Sequence, residues 1–190
     1  FEFQQGMTNI PYQIENLRFE NGEAEAHVRI GWLRSVYNII HGFSINIFVD
    51  ELAIAAGKDP LAFRLSLIGS DRMYPSEDAY QLETAKLKHV LKKVGKNAGW
   101  GRELPEGHGL GLAVHYSFYT YVATAVEVSV INNKLKVHKV FTVADCGTVV
   151  NTDTVKAQLE GAAIFGMSLA YYGDISLEEG KVMQSNYHDY

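Results

Sequence analysis

Two polar side chains, Gln158 and Glu160, lie in the part of the sequence best suited to hold a ligand. Asn151 precedes them and has a side-chain oxygen that can cap the first turn of a helix. Asp153 in that turn would oppose the positive end of the helix dipole. An anion or a hydrogen-bonding ligand can bind beside the N–H groups at such a helix start. On pattern alone, a capped core helix is the simpler interpretation, because residues 161–170 are small or apolar on every face.

The histidines and the cysteine form no metal-binding pattern. The histidines are scattered at positions 27, 41, 89, 108, 115, 138 and 188, and no two of them make an H-x-x-x-H pair. The single cysteine, Cys146, cannot form an internal disulfide or a thiolate metal cluster. We therefore predict no metal ligand among these residues.

The stretch around Gln158 resembles a motif of the molybdenum-cofactor domain in the xanthine oxidase and aldehyde oxidase family. The matching residues are D-C-G-x-x-V-N-x-x-x-V-x-A-Q-x-E-G, at positions 145–161. Among the subgroups, the pattern most resembles the large subunit of isoquinoline 1-oxidoreductase-type enzymes. Other matching stretches follow in the family's order: I-P-Y at 10–12, G-W-L-R-S-V at 31–36, F-V-D-E-L-A and D-P-L-x-F-R within 48–64, G-W-G at 99–101, and Q-S-N-Y-H-D-Y at 184–190.

The resemblance implies three cofactor-binding residues. Arg34 falls on the loop arginine at the molybdenum site, Gln158 falls on the glutamine that touches the pterin, and Gly161 belongs to the E-G pair of the same helix. Val36 stands where xanthine oxidases have an aromatic residue against the substrate, which argues against purine substrates. Two alternatives stay open. Arg34 could instead bridge carboxylates such as Asp50 or Glu51. Gln158 could merely form hydrogen bonds to polar groups of a neighbouring loop.

The resemblance also implies catalytic parts that residues 1–190 do not contain. Family members hydroxylate aldehydes or N-heteroaromatic compounds and use a glutamate as base, since a proton must be accepted within hydrogen-bond reach. That glutamate lies in a G-E-P-like segment after H-D-Y, and Glu160 is not its match. The upstream glycine-rich loop and the G-Q-G segment that clamp the cofactor are also missing. We therefore expect a fragment with no catalytic residue, inactive by itself, with no molybdopterin bound to this chain alone.

The expected partners follow from the same resemblance. They are the remaining segments of the same subunit and an iron–sulfur subunit, because one cysteine cannot hold such a cluster. Apolar surface left uncovered by the missing segments should also favour self-association.

Composition excludes several other classes. The chain has 190 residues, 47% of them hydrophobic and 21% charged, with a net charge of −5 and no basic cluster longer than Lys92-Lys93. A nucleic-acid partner is therefore not expected. No secretory signal and no apolar run of membrane length is present in residues 1–190, so we expect no membrane contact. The compartment stays unknown, with the cytoplasm only as the default.

The patterning predicts an α+β fold. We expect an N-terminal hairpin over residues 10–30 with its turn at Asn21-Gly22, then helices at about 43–56, 59–68 and 78–98, separated by a loop at 69–76. After a glycine-rich break at 99–107, period-2 alternation predicts strands at 110–118, 122–131 and 135–143, one buried helix and a hairpin at 175–184. The resemblance assigns residues 1–100 and 101–190 to parts of a first and a second molybdopterin-binding-type subdomain.

Two functions fit these observations. The first is a fragment of a molybdopterin-dependent oxidoreductase subunit that acts on aldehydes or N-heteroaromatic compounds. The second is a free-standing α+β module that keeps this scaffold and binds a partner or a small ligand without redox chemistry. A coding sequence that continues beyond Tyr190 into a G-E-P-like segment would favour the first function.

Overall fold

The computed structural model describes residues 5–25, 30–74 and 81–189, and the chain divides into two compact units. Unit 1 comprises Phe1–Phe19 and Trp32–Gly147, and unit 2 comprises Glu20–Gly31 and Thr148–Tyr190. Helices and antiparallel strands occur together, so the predicted α+β class is confirmed.

Unit 1 contains the helices predicted before the glycine-rich break. They are α1 (Asn38–Ala55), α2 (Pro60–Ile68) and α3 (Thr84–Ala98). Helix α1 begins at Asn38 rather than at residue 43. Helix α2 begins as predicted: Pro60 is its first residue, and the Asp59 carboxylate accepts a hydrogen bond of 2.8 Å from the backbone N–H of Ala62.

Two short strands replace part of a predicted loop and a predicted helix start. Strand β1 (Met73–Tyr74) pairs antiparallel with β2 (Leu82–Glu83). Thr84 fixes this arrangement, because its hydroxyl accepts from the backbone N–H of Arg72 and its own N–H donates to the Arg72 carbonyl. These bonds hold residues 82–83 extended, so α3 begins only at Thr84; the predicted helical residues 78–80 lie outside the described part of the chain.

The sheet of unit 1 has the three strands that the alternation predicts. Strands β3 (His108–Ser117), β4 (Thr120–Ile131) and β5 (Lys134–Asp145) are antiparallel in the order β3-β4-β5. Asn132 and Asn133 make the β4–β5 turn with φ of 51° and 58°, as expected for residues that tolerate the left-handed region. Helix α3 packs on this sheet, and the core combines apolar residues of both: Leu87, Val90, Leu91, Val94, Leu112, Val114, Tyr116, Tyr121, Ala123 and Ala125.

Helix α1 covers the open edge of this sheet at strand β3. The Asn46 side chain accepts a hydrogen bond of 2.9 Å from the backbone N–H of Val114 and donates one of 3.1 Å to its carbonyl. One amide side chain thus pairs with the edge strand as a neighbouring strand would. Arg64 of α2 is fully buried behind it and donates to Asn46, Asp50 and the hydroxyl of Tyr12.

Unit 2 contains the helix that carries Gln158. Helix α4 spans Thr152–Tyr172, and the side chain of Asn151 accepts from the backbone N–H of Thr154 at 2.9 Å, so the predicted cap is confirmed. A hairpin follows, in which β6 (Leu177–Glu178) pairs with β7 (Lys181–Val182) around the predicted Glu179-Gly180 turn.

The predicted burial of α4 is wrong for this chain. No residue of the helix is buried in the described structure, and Ile164 is 65% exposed. An apolar composition on every face suits a helix that is surrounded by other elements. Among the described residues, no such surrounding layer covers α4.

The predicted N-terminal hairpin is also not found. Residues 10–25 form no strand, and residues 26–29, which would complete the second strand, lie outside the described part of the chain. Ile10 and Tyr12 are buried in the core, and the backbone N–H of Gln13 donates to the Leu67 carbonyl at 2.6 Å. Residues 13–25 are exposed, so an isolated two-stranded ribbon there would bury too little apolar surface to form.

The glycine-rich break at 99–107 marks the predicted change from helix to strand, but it does not separate compact units. Helix α3 before it and strands β3 to β5 after it pack together within unit 1. The assignment of residues 1–100 and 101–190 to two molybdopterin-binding-type subdomains stays a prediction.

By length and apolar composition, no single helix in the described ranges suffices to cross a bilayer. Helices α1 and α2 together reach that criterion, but the chain bends by 111° between them.

Candidate functional site

Arg34 lies in a short, tightly bonded loop in front of α1. We call residues 32–37 the Arg34 loop. The backbone N–H of Val36 donates to the Leu33 carbonyl at 3.0 Å, and the N–H of Asn38 donates to the Ser35 carbonyl at 3.0 Å. The indole of Trp32 donates to the Tyr37 hydroxyl at 3.2 Å across the loop. Arg34 is therefore an exposed guanidinium on a loop with a defined shape.

The Arg34 loop contains backbone strain beside the arginine. Ser35 and Val36 have φ of 73° and 53°, in the left-handed region. A β-branched residue rarely adopts this conformation, and each such residue costs on the order of 1–3 kcal/mol unless its surroundings enforce it. Strain of this kind is concentrated at ligand-binding and catalytic loops. Together with the exposed guanidinium, it makes this loop the strongest candidate site in unit 1.

Replacing Val36 with asparagine tests whether the strain is real. Asparagine tolerates positive φ, so V36N is expected to raise the free energy of unfolding by about 0.5–1 kcal/mol. Val150 is 97% exposed and has no positive φ, so V150N serves as the control and is expected to change stability by less than about 0.5 kcal/mol. Urea denaturation followed by circular dichroism measures both. A clear loss of stability in V36N would contradict the strained geometry.

Gln158 and Gly161 lie together on one side of α4. Residues three apart on a helix are surface neighbours, and both of these are exposed. A Cβ atom added at Gly161 would meet nothing within 4 Å, so the helix backbone is open to close approach there. Glu160 is two residues from Gln158 and therefore faces another side of the helix. Both polar side chains were predicted near the helix start, but only Gln158 shares a face with Gly161.

The predicted site residues are divided between the two units. Arg34 belongs to unit 1, whereas Gln158 and Gly161 belong to unit 2. Their use of one common ligand stays a prediction. Asp50, considered above as a partner for Arg34, is bonded to Arg64.

A partly buried polar network behind the Arg34 loop could not be predicted from the sequence. His115 of β3 lies 2.9 Å through its Nε2 from Oδ1 of Asn38, the first residue of α1. His41, one turn further along α1, makes a 2.8 Å hydrogen bond through Nδ1 to the Gln5 carbonyl. Burial, with a smaller contribution from the charge of His41, lowers the pKa of His115 to about 4. His41 and His115 are far apart in the sequence and form no motif, so the sequence does not predict that they lie in one cluster.

Stability should fall in mild acid because of His115. Its pKa is about 4 in the folded chain and about 6.5 when unfolded, so the unfolded state binds the proton first as the pH drops. The free energy of unfolding is then expected to decrease from pH 6.5 towards pH 4, by about 2 kcal/mol at pH 5. Urea titrations at pH 8, 6 and 5 measure this, and H115Q should flatten the curve between pH 6.5 and 5. An unchanged wild-type curve there would contradict the buried neutral imidazole.

A second polar cluster lies beside the C-terminal end of α3. Glu127 of β4 forms a 2.7 Å ion pair with Arg102, and His108 stacks on His138 with ring centroids 4.6 Å apart. Burial disfavours ionisation of Glu127, but the charge and hydrogen bond of Arg102, with smaller contributions from Lys139 and His108, together outweigh it and lower the pKa of this carboxyl. An open depression of about 550 Å³ adjoins it. In the ranges that the structure describes, no group of three or more His, Cys, Asp or Glu side chains is arranged to hold a metal.

Comparison with known proteins decides the family. The family model described as "molybdopterin cofactor-binding domain" matches residues 65–190. The chain belongs to this molybdopterin cofactor-binding family. The resemblance given by the sequence motifs is thus confirmed by a match that covers α3, the sheet and α4.

Three curated relatives of this chain are oxidoreductases by name. It is 30% identical over 190 residues to a membrane-bound aldehyde dehydrogenase [pyrroloquinoline-quinone] of Gluconacetobacter polyoxogenes, covering 94% of this chain and 24% of the relative. It is 28% identical to the beta subunit of isoquinoline 1-oxidoreductase of Brevundimonas diminuta, covering 95% of this chain and 22% of the relative. It is 26% identical to a subunit of nicotinate dehydrogenase from Pseudomonas putida, covering 95% of this chain and 16% of the relative.

The chain therefore spans about a quarter or less of these relatives' lengths. No solved structure matches it significantly. The named relatives act on aldehydes or heteroaromatic compounds by name, and two of them are named as subunits.

Taken one by one, the predicted cofactor-binding residues have chemistry that suits a pterin cofactor with phosphate and oxo groups. The guanidinium of Arg34 presents several N–H donors for anionic oxygens. The amide of Gln158 offers both a donor and an acceptor, as the edge of a pterin ring requires. The open backbone at Gly161 leaves room for a flat ring to approach α4.

Proposed function

We propose that this chain forms part of the cofactor-binding wall of a molybdenum hydroxylase subunit that acts on aldehydes or N-heteroaromatic compounds. Arg34, Gln158 and Gly161 hold the molybdopterin in this proposal, and the catalytic glutamate comes from a segment outside residues 1–190. The observation that carries the proposal is the family match over residues 65–190, which contains the helix with Gln158 and Gly161.

The strained Arg34 loop supports the role of the arginine. Ser35 and Val36 both have positive φ. If the loop served only the stability of the fold, asparagine or glycine at these positions would relieve the strain at little cost. Its presence directly beside an exposed guanidinium fits a loop that orients a cation for an anionic ligand. Arginine is suited to this task because its planar fork binds two oxygens at once.

The start of α4 supports the role of the second unit. Asn151 satisfies the N–H of Thr154, and Asp153 lies in the first turn. Gln158 lies in the second turn on the same exposed side as Gly161, so an amide and an open stretch of backbone are presented together. The cofactor supplies the redox chemistry when it is bound, and the side chains of this chain bind and orient it.

The proposal includes partners that only a longer assembly can supply. The exposed apolar side chains of α4, among them Ile164 and Phe165, suit coverage by the remaining segments of the same subunit or by self-association. Electrons leave such a site through iron–sulfur clusters, which we assign to another subunit or domain because Cys146 is the only cysteine here.

Molybdenum content of the subunit that carries this chain tests the proposal. R34A and Q158A are each expected to lower the molybdenum-to-polypeptide ratio by about three- to tenfold, since each removes one or two hydrogen bonds to the cofactor, charged in the case of Arg34. K92A on α3 and K156A on α4 remove exposed side chains and should leave the ratio unchanged. Mass spectrometry of the metal, with fluorescence of the released pterin, gives the result. Wild-type ratios in both R34A and Q158A would overturn the proposal.

A further inference from the structure

The left-handed backbone of the Arg34 loop must be enforced by contacts with the surrounding structure. Ser35 and Val36 hold unfavourable φ values only if the structure on both sides fixes them. On the N-terminal side, Trp32 donates to the hydroxyl of Tyr37. On the C-terminal side, the fixed point is Asn38, whose N–H donates to the Ser35 carbonyl and whose side chain is buried.

The partner of Asn38 comes from a distant part of the sequence. Nε2 of His115 lies 2.9 Å from Oδ1 of Asn38, across a separation of 77 residues. An amide oxygen only accepts, so the imidazole donates from Nε2. Because the pKa of His115 is about 4, the ring is neutral at pH 7 and its Nδ1 carries no proton. The amide nitrogen of Asn38 faces Oε1 of Gln5 at 3.5 Å, which agrees with this orientation.

The packing around His115 is shaped for an imidazole. A Cβ atom added at Gly6 would lie 3.0 Å from Cε1 of His115, and one added at Gly42 would lie 3.4 Å from its Nδ1. The ring is thus enclosed between the N-terminal segment and α1, where a side chain on either glycine would crowd it. A histidine held this closely has one orientation for its donor.

We propose that His115 is a positioning residue for the Arg34 loop: its hydrogen bond to Asn38 fixes the start of α1, and with it the strained turn that presents Arg34. The presentation of Arg34 to a cofactor rests on the function proposed above. The chain of contacts itself, from His115 through Asn38 to Ser35, lies wholly within unit 1.

Amide hydrogen exchange of the full 190-residue chain, followed by NMR, tests the contact chain without any cofactor. In H115L the exchange rates of the Val36 and Asn38 amides are expected to rise about five- to tenfold, the effect of losing one buried hydrogen bond. Amides in the middle of α3, such as those of Leu91 and Val94, should keep their protection and show that the fold is intact. H115Q retains an amide donor near the position of Nε2 and should restore the slow rates. H89L, on the exposed side of α3, is the matched control.

Two outcomes would overturn the inference. One is unchanged protection of Val36 and Asn38 in H115L, and the other is an equal loss of protection at these amides and throughout α3, which means only general destabilisation. In the subunit that carries this chain, H115L should also lower molybdenum content, and adding R34A should lower it no further. Full molybdenum in both R34A and Q158A would overturn the proposed function, while the exchange result would still decide the role of His115.

Discussion

Replacing Arg64 with alanine is expected to lower the free energy of unfolding by about 3–5 kcal/mol, because it removes several hydrogen bonds of a fully buried charged group, each worth about 1.5–3 kcal/mol. Arg64 has no exposed surface, and its guanidinium donates to Tyr12, to the side chain and backbone of Asn46, and to Asp50. Its removal leaves these acceptors without their donor inside the core. It also leaves a cavity between α1 and α2.

The loss of Arg64 should also weaken the contact between α1 and the sheet, because Asn46 bonds to both Arg64 and the edge strand. Its Oδ1 accepts from both Arg64 and the backbone N–H of Val114 on the edge strand. A shift of Asn46 after loss of the guanidinium would loosen the contact between α1 and β3.

Graded variants separate this network from a general effect of charge. Y12F removes one hydroxyl acceptor and is expected to cost about 1 kcal/mol. K92A removes an exposed cation from α3 and should change stability by less than about 0.5 kcal/mol. Urea denaturation monitored by circular dichroism gives all three values. An R64A variant as stable as K92A would show that the network does not form.

The 190-residue chain purified alone is expected neither to retain molybdopterin nor to oxidise an aldehyde or an N-heteroaromatic compound. Arg34 and Gln158 can supply only a few hydrogen bonds, each worth about 1 kcal/mol if neutral and about twice that if charged. Binding costs a ligand on the order of 4–15 kcal/mol in lost translational and rotational freedom, which these bonds do not offset. If the catalytic glutamate comes from another segment, as proposed, its loss would remove a further factor of roughly a hundred to ten thousand in rate.

Metal analysis and dye reduction test this expectation on protein made in a host that synthesises the cofactor. The control is the longer subunit expressed in the same host, which should hold the metal and reduce the dye. Stoichiometric molybdenum in the short chain, together with aldehyde-dependent dye reduction, would show that it contains a complete site.

The sequence predicted the sheet and the helix caps because the signals for them are local. The alternation of bulky and small residues in β3, the Asn132-Asn133 turn and the caps Asp59 and Asn151 depend only on neighbours in the chain. The expected hairpin at Asn21-Gly22 had such a local signal but lacked a surface to pack against. The prediction that α4 is buried was wrong for a related reason. Its apolar composition suits a helix covered on all sides, but the described residues of this chain do not cover it.

The candidate site was accessible to sequence reasoning only in part. Arg34, Gln158 and Gly161 lie in motifs, so resemblance pointed to them. The strain at Val36 depends on backbone angles that valine gives no reason to expect. His115 and Asn38 meet across 77 positions, and no pattern in either neighbourhood predicts the contact. Arg64 belonged to a matched motif, yet its burial between Asp50 and Asn46 became visible only in the fold.

A structure of the cofactor-loaded subunit, determined through crystallography or electron microscopy, would show whether this chain binds molybdopterin as proposed. Arg34 and Gln158 are both expected to lie within hydrogen-bond distance, about 2.7–3.2 Å, of the same molybdopterin, with the ring against the open backbone at Gly161. A bound cofactor more than about 6 Å from either side chain, beyond the reach of a direct or water-bridged hydrogen bond, would contradict this expectation.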